Sequence, residues 1–494
     1  MLLLGIDIGT SSVKVCVVDA HDQRVIASAQ YPDQESPIIA LQTGWAEQSP
    51  DMWWQQTGQA IAMCHKKGRY HPKDISAIGI AYQMHGLVLV DKEQKVLRNS
   101  IIWCDSRAVK IGDKAFEDIG HEACLSHMLN SPGNFTAAKL AWVKQNEPEI
   151  YEQVDKVMLP GDYIAMKLTG EITTSASALS EGIFFDFQFN GLSKDITDYF
   201  DFDKELFPTV KPVFSSHGRI TTAVANALQL TAGVPVTYKA GDQPNNALAL
   251  NVLKPGEVAA TAGTSGVIYG VSDQLAYDVQ SRVNTFAHVN YTAERKRLGV
   301  LLCINGTGSL YRWIKTSFGS ALSYREMNEV ARKAPAGSDG LRILPFGNGA
   351  ERMLNNKQVG AHILNIDLNL HSQAHVFRAA NEGIACAFRY GLDIMRGNGM
   401  HPTVIRAGRT NMFLSDLFAE TFVNATGVPV ELYDNDGSMG AALGAGIGAE
   451  IFASAAEAFS NSKPVAYIEP TNTQQFDVIY QSWVMLLQEH LGKL

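Results

Sequence analysis

The feature that most constrains this chain is a phrase it carries twice. GIDIGTSSVKVCVVDA, from Gly5 to Ala20, returns in reduced form as TAGTSGVIYGVSD, from Thr261 to Asp273. Laying Gly9-Thr10-Ser11 over Gly263-Thr264-Ser265 flanks each turn with apolar, β-branched runs, the pattern of two strands joined by a tight hairpin. The repeat divides the chain into two halves of like construction. Glycine lets backbone amides approach an anion and the Thr and Ser hydroxyls add donors, so two facing turns of this kind can clamp a polyphosphate between domains. One copy alone would ordinarily be no more than a tight turn. Repetition in matching surroundings makes Gly9, Thr10, Ser11, Ser12, Gly263, Thr264 and Ser265 candidate phosphate ligands.

Length agrees with two halves: 494 residues, 46% of them hydrophobic, exceed one core and suit two or three domains. A net charge of -9 gives no electrostatic reason to expect nucleic acid or an anionic membrane as partner, so a phosphate site here must be local. The six cysteines stand singly with no Cys-x-x-Cys pair, which argues against a zinc site or disulfide framework and for a reducing, cytoplasmic setting. The opening MLLLGIDIG lacks a basic stretch and soon meets Asp7, so neither a secretion signal nor a membrane span is expected there.

Apolar periodicity predicts strands over Leu2 to Ile8, Val13 to Asp19 and Arg24 to Gln30, a helix over Pro50 to Lys67 capped by Ser49, and strands over Ile75 to Tyr82 and Gly86 to Asp91. After the second hairpin the order recurs: a strand over Gly299 to Ile304, a long helix over Val376 to Met395, and a strand over Thr403 to Ala407. A helix over Phe413 to Thr426, a strand over Val428 to Asp434 and a small-residue helix from Ser438 complete it. The alternation predicts layered α/β domains on largely parallel sheets, apart from the hairpins, with the boundary near Asn251 to Pro255. Phe185 to Ala232 shows no clean period.

Asp7 ends a buried strand just before the first turn, where a carboxylate is costly unless it meets a cation such as the magnesium of ATP; a cap on the turn's own amides is the other reading. Lys14 follows the turn and either touches phosphate or is a solvated strand lysine. Asp242, in Lys239-Ala240-Gly241-Asp242-Gln243-Pro244, is the choice for a general base, since phosphoryl transfer needs positioning and one carboxylate to take a late proton; a turn aspartate would look the same. Gln83, Met84 and His85 join a strand end to a hairpin and can offer hydrogen bonds and an apolar wall to a sugar. Asp105, in Trp103-Cys104-Asp105-Ser106-Arg107, is a helix cap or a sugar ligand. Gly408 and Asn411 follow a strand and precede a helix, a setting that suits a nucleotide, as does Asp436-Gly437-Ser438-Met439-Gly440, although small-residue helices are also close-packing devices.

Together these segments resemble the FGGY family of carbohydrate kinases, within the larger group sharing the actin and heat-shock ATPase fold. The likeness runs from about Leu2 to about Ala449 and includes NFTAAKLAWVKQNEPEIY from Asn134 and HSQAHVFRAANEGIACAF from His371. It implies two ribonuclease H-like domains, residues 1–250 and 251–494, closing on a catalytic cleft, with candidate hinges near Gly241 and Gly256. It also implies ATP and Mg2+ as cofactors, Asp242 as proton acceptor, Asp7 handling magnesium, and Met84 and His85 against the sugar. The Gln83-Met84-His85-Gly86 loop with Trp103-x-Asp105 is most similar to members that phosphorylate D-xylulose on its terminal hydroxyl. Departures are Arg406-Ala407-Gly408-Arg409 where the family has a glycine run, leaving Gly408 and Asn411 to carry over; Gln243 where asparagine is common; Gly349-Ala350-Glu351-Arg352-Met353; and Asn365 and Asn381. The alternatives are a kinase for L-ribulose, glycerol or gluconate, and an actin-like ATPase switch without a sugar. The expected partners are a small-molecule sugar and ATP, without nucleic acid or membrane; a homodimer is left open.

Overall fold

Five strands organise the first half of the computed structural model, which describes residues 1–493. They are β1 (Leu2–Ile8), β2 (Val13–Asp19), β3 (Val25–Tyr31), β4 (Ile75–Tyr82) and β5 (Val236–Gly241). Their order is β5-β4-β1-β2-β3, with β5, β4 and β1 parallel and β1, β2 and β3 an antiparallel meander. β1 and β4 are buried almost throughout, which is why they read as continuous apolar runs instead of alternating ones. Helix α1 (Pro50–Lys67) lies on β2 and β3 through Trp53, Ile61 and Cys64, and Ser49 Oγ accepts the Met52 amide at its start.

The second half holds β6 (Val258–Ala262), β7 (Gly266–Ser272), β8 (Asn284–Ala287), β9 (Leu298–Ile304), β10 (Ile405–Gly408), β11 (Val430–Tyr433) and β12 (Ala466–Ile468), ordered β8-β9-β7-β6-β10-β11-β12. Without its two edge strands this sheet repeats the first: a central hairpin strand, a meander on one side and two parallel strands on the other. The duplication is therefore of a whole sheet and not of a hairpin alone. The expectation of largely parallel sheets is corrected to mixed ones, because each sheet contains a three-stranded meander. The helix expected from Phe413 is also divided, into a 3-10 turn over Asn411–Leu414 and a helix over Asp416–Thr426 capped by Ser415.

The chain crosses between the halves through α2 (Asp242–Ala249), before α3 (Gly308–Phe318) and α4 (Gln373–Gly397) cover the second sheet, and returns through α5 (Gly437–Gly448). α5 packs on α2 and across β1, β4 and β5, so the small-residue helix that the sequence groups with the second half lies on the first sheet. Gly5 and Gly79 stand opposite each other in the β1–β4 register and form a smooth floor there. A β-carbon on either would run into the helix backbone, at Ser438 O or Ala441 O. Close packing is thus what the glycines of α5 and its floor achieve.

Residues 185–232 resist periodicity analysis because their elements are two-residue strands and helices of six or seven residues. Ile220, Ala225, Leu228 and Leu230 join the core of the first sheet, while the residues up to Leu206 gather with Phe184 into a core that continues into Tyr269, Phe286 and Ala287 of the second half. The edge strand β8 is sealed by this contact: the Asn130 amide bonds both Thr285 N and Thr285 O, and Ser180 Oγ accepts Ala287 N. Among the described residues no helix is long and apolar enough to cross a membrane.

Behind β5 the buried Lys239 Nζ donates to Asp162 Oδ1 at 2.6 Å and to Thr173 O at 2.6 Å. Removing one member leaves an uncompensated buried charge, so Asp162→Ala is expected to cost about 3–5 kcal/mol in urea unfolding. The double replacement Asp162→Leu with Lys239→Met should recover most of that loss.

Candidate active site

Register brings the chemistry together. Ile8, Tyr82 and Gly241 end three adjacent parallel strands in one row, so Asp7, the loop Gln83 to His85 and Asp242 emerge at the same sheet edge, where ligands of α/β proteins bind. The Asp242 carboxyl is pushed up to about 7, chiefly by burial and then by the charge of Asp7, while hydrogen bonds from Gln243 pull it back. Asp7 is pushed up to about 6 by burial, lowered by Lys14 opposite it on β2, and raised by Asp436. Asp7 lies hard against Gly437 at the start of α5.

His85 has φ +63, a left-handed backbone that non-glycine residues adopt at a cost of about 1–2 kcal/mol. It is held there from three sides. Its carbonyl accepts Lys139 Nζ at 2.8 Å, and the same buried lysine reaches Ile102 O at 3.0 Å. Its ring packs on Phe135 and Phe286 with centroids at 4.8 and 5.5 Å. Its Nδ1 bonds Glu181 O at 2.9 Å. A carbonyl can only accept, so Nδ1 carries the proton and Nε2 is left as an acceptor. Burial, with Lys139 nearby, lowers the His85 pKa to about 3 and keeps the ring neutral. Met84 forms the buried wall beside it.

Two expected sugar ligands are engaged elsewhere. Asp105 is 0% exposed and both its oxygens bond Arg107, with Oδ2 also accepting the Ala46 amide at 2.6 Å. Arg107 in turn stacks 3.8 Å from the Trp45 ring centroid. A buried carboxylate needs such a partner, and the motif supplies one two residues on, so Asp105 is a structural anchor. Gln83 is also buried; its Oε1 accepts Thr10 Oγ1 at 3.1 Å and its Nε2 donates to Gln48 Oε1 at 3.0 Å. It ties its own loop to the Gly9–Ser12 turn instead of pointing a free amide outward. Trp103, 51% exposed, donates its indole N–H to the same Thr10 Oγ1 at 2.9 Å and, with Cys104 and Ser106, faces solvent.

Glu181 was not legible as a site residue. It is 1% exposed, both carboxyl oxygens lack partners, and Oε2 lies 2.6 Å from where a Gly241 β-carbon would be, next to Asp242. Burial, then the Asp242 charge, holds its pKa well above the carboxylate range. The only sequence signal was a lone carboxylate in the small-residue run TTSASALSEG.

On the second sheet, Gly308 N and Ser309 N at the start of α3 bond Gly263 O and Thr264 O at 2.9 and 3.0 Å. A cavity of about 810 Å3 opens beside this turn, lined by Gly263, Thr264, Asn411, Tyr311, Asn328 and Asn381 among others. Tyr311 stacks on Tyr324 at 5.9 Å and donates to Asn328 Oδ1 at 2.6 Å. Gly408 lies outside the lining, and Arg406 is turned away to pair with Glu431 at 2.9 Å. Arg409 pairs with Asp434 at 3.1 Å, so both arginines of this glycine-poor segment make ion pairs and neither lines the cavity.

Two mixed sheets of one design, a carboxylate pair at the first and a cavity of about 810 Å3 beside the Gly-Thr-Ser turn of the second are the architecture of a phosphotransferase of the actin-like ATPase group. The N-terminal domain of the FGGY family of carbohydrate kinases matches residues 2–249 and its C-terminal domain residues 258–449, and the chain belongs to that family. A xylulose kinase of Escherichia coli (strain K12) is 29% identical over 456 residues, covering 92% of this chain and 90% of its own. The solved xylulose kinase of Rhodospirillum rubrum has TM-score 0.89 at 25% identity, covering 99% of both chains. A gluconate kinase of Lactobacillus acidophilus shares the fold at TM-score 0.88 and 20% identity, covering 99% of this chain and 98% of its own.

Proposed function

We propose that this carbohydrate kinase transfers the γ-phosphoryl group of ATP to the terminal hydroxyl of D-xylulose, giving D-xylulose 5-phosphate and ADP. The observation that carries the reading is the place of Asp242, at the strand edge beside Met84 and His85, with a carboxyl poised near neutrality. The acceptor oxygen attacks phosphorus, the bond to the β-phosphate oxygen breaks, and Asp242 takes the hydroxyl proton. His85 Nε2 accepts from a sugar hydroxyl, and Met84 covers an apolar face. The turns at Gly9 to Ser12 and Gly263 to Ser265 hold phosphates, Lys14 balances charge, and Asn411 with Tyr311 lines the adenosine end.

The repulsion that Asp7 exerts on Asp242 and receives from Asp436 fits a divalent cation at Asp7. Asp7 would hold Mg2+, which supplies charge neutralisation for the phosphates. Six unpaired cysteines favour a reducing, cytoplasmic setting.

Gln243 lengthens one side chain beside the acceptor, and this keeps L-ribulose, glycerol and gluconate as the second reading. The test is the product formed from D-xylulose labelled with carbon-13 at C5. A phosphomonoester coupled to the labelled carbon in phosphorus NMR is expected. Inorganic phosphate alone, or an ester on another carbon, would overturn the assignment.

A further inference from the structure

The loop Gly349 to Met353 is left unused by the account above, and its arginine leaves its own domain. Arg352 bonds Asn284 Oδ1 on β8 through Nη1 and reaches Ser131 Oγ of the first half through Nη2 at 3.4 Å. Its guanidinium lies 5.6 Å from the centroid of Phe135, the ring that packs edge-on against His85. Among the described residues no carboxylate pairs with it, and two of its five N–H donors are used. Arg352 is partly exposed and feels the charge of Asp113, so the donors not used within the chain are free to meet the acceptors of a ligand. Burial lowers the Arg352 pKa, and the charge of Arg352 is felt at His85, whereas Asp242 responds to Asp7 and Gln243. The shared contact with Phe135 puts Arg352 on the His85 side of the pocket.

The loop that carries it is fixed to the nucleotide side. Glu351, 0% exposed, accepts the Asn305 amide on both oxygens at 3.0 and 3.1 Å, and Asn305 Nδ2 returns to Ala350 O at 2.8 Å. Asn305 sits in the turn before α3, whose first amides bond the Gly263-Thr264 turn.

We infer that Arg352 is the second domain's contribution to the acceptor site, donating hydrogen bonds to the end of the polyol remote from the transferred phosphoryl group. The inference rests on the kinase reading above. It makes the acceptor pocket complete only when both domains line it, and it links that pocket to the second phosphate turn through Glu351 and Asn305.

The test is steady-state kinetics of wild type, Arg352→Lys and Arg352→Ala, with D-xylulose, L-ribulose, glycerol and gluconate as acceptors and with melting temperatures measured alongside. Losing a charge-assisted hydrogen bond should raise the acceptor KM of Arg352→Ala by about 30-fold and leave the ATP KM within about twofold. Arg352→Lys, which keeps the charge without the fork, should fall between. Added guanidinium ion should restore part of the activity of Arg352→Ala, which loss of a packing strut would not allow. The inference holds on whichever acceptor wild type prefers. It is overturned by an unchanged acceptor KM with a lowered melting temperature, the signature of an interdomain strut. Wild type that turns over none of the four removes the kinase reading and this role together.

Discussion

Asp242→Asn is expected to bind nucleotide normally and to lose about 10³-fold in kcat, because the substituted amide keeps the shape of the carboxylate and cannot accept the hydroxyl proton. The same carboxyl sets the pH dependence. A base must be ionised to act, and the Asp242 pKa is raised from 3.8 to about 7, so the wild-type rate should fall as pH drops through about 7. The sign for stability is opposite. A raised folded-state pKa means that the folded protein holds this proton more tightly than the unfolded chain does. Raising pH from about 4 to about 7 therefore removes stability on this residue's account, and the loss is complete above the folded pKa. Asparagine cannot ionise, so the inactive variant should melt at a higher temperature than wild type at pH 8 and closer to it at pH 4. Thermal melts at both pH values, together with initial rates, check both halves. A variant that is inactive and also less stable at pH 8 would mean that Asp242 is a structural turn residue.

Gly79→Ala should have the largest effect on folding. Its β-carbon would overlap the carbonyl oxygen of Ala441 in α5, and the obstacle is helix backbone with no flexible end to move aside. Gly5 lies opposite it in register, so the same floor cannot give way on that side. The expected loss is about 4 kcal/mol or more in urea unfolding, a range confined to changes that force packed backbone apart. Gly397→Ala is the matched control. It ends α4 with nothing within 4 Å of a new β-carbon, and helix propensity predicts a small gain. Equal midpoints for Gly79→Ala and Gly397→Ala would show that α5 is not seated on β1 and β4 as described.

The comparison of these residues also shows what a sequence can reveal. β1, β2, α1 and β4 were legible to the residue, because each is bounded by a turn glycine, a cap or a change of period. Asp7 and Asp242 were legible singly, one from its strand end and one from its Gly-Asp-Gln-Pro turn, but their meeting at one sheet edge came only with the register. The engagement of Gln83 was not legible, because its partners Thr10 and Gln48 are distant in the chain, whereas the pairing of Asp105 with Arg107 stood two residues away in a motif read as a cap or a sugar ligand. α5 was legible as a helix but its side was not, because small residues fit a phosphate or another backbone equally well. Glu181 gave no pattern at all, since its significance comes from Gly241, 60 residues later in the chain and adjacent in space.

What remains to be measured is whether this cleft passes a phosphoryl group to a sugar or merely hydrolyses ATP. Release of ADP from ATP and magnesium, followed with D-xylulose, with L-ribulose, glycerol or gluconate, and with no acceptor, tests it most directly. The account predicts slow release without acceptor, strong stimulation by D-xylulose, and no stimulation in Asp242→Asn. The same rate whatever sugar is present, in both proteins, would contradict it and leave an ATPase without an acceptor.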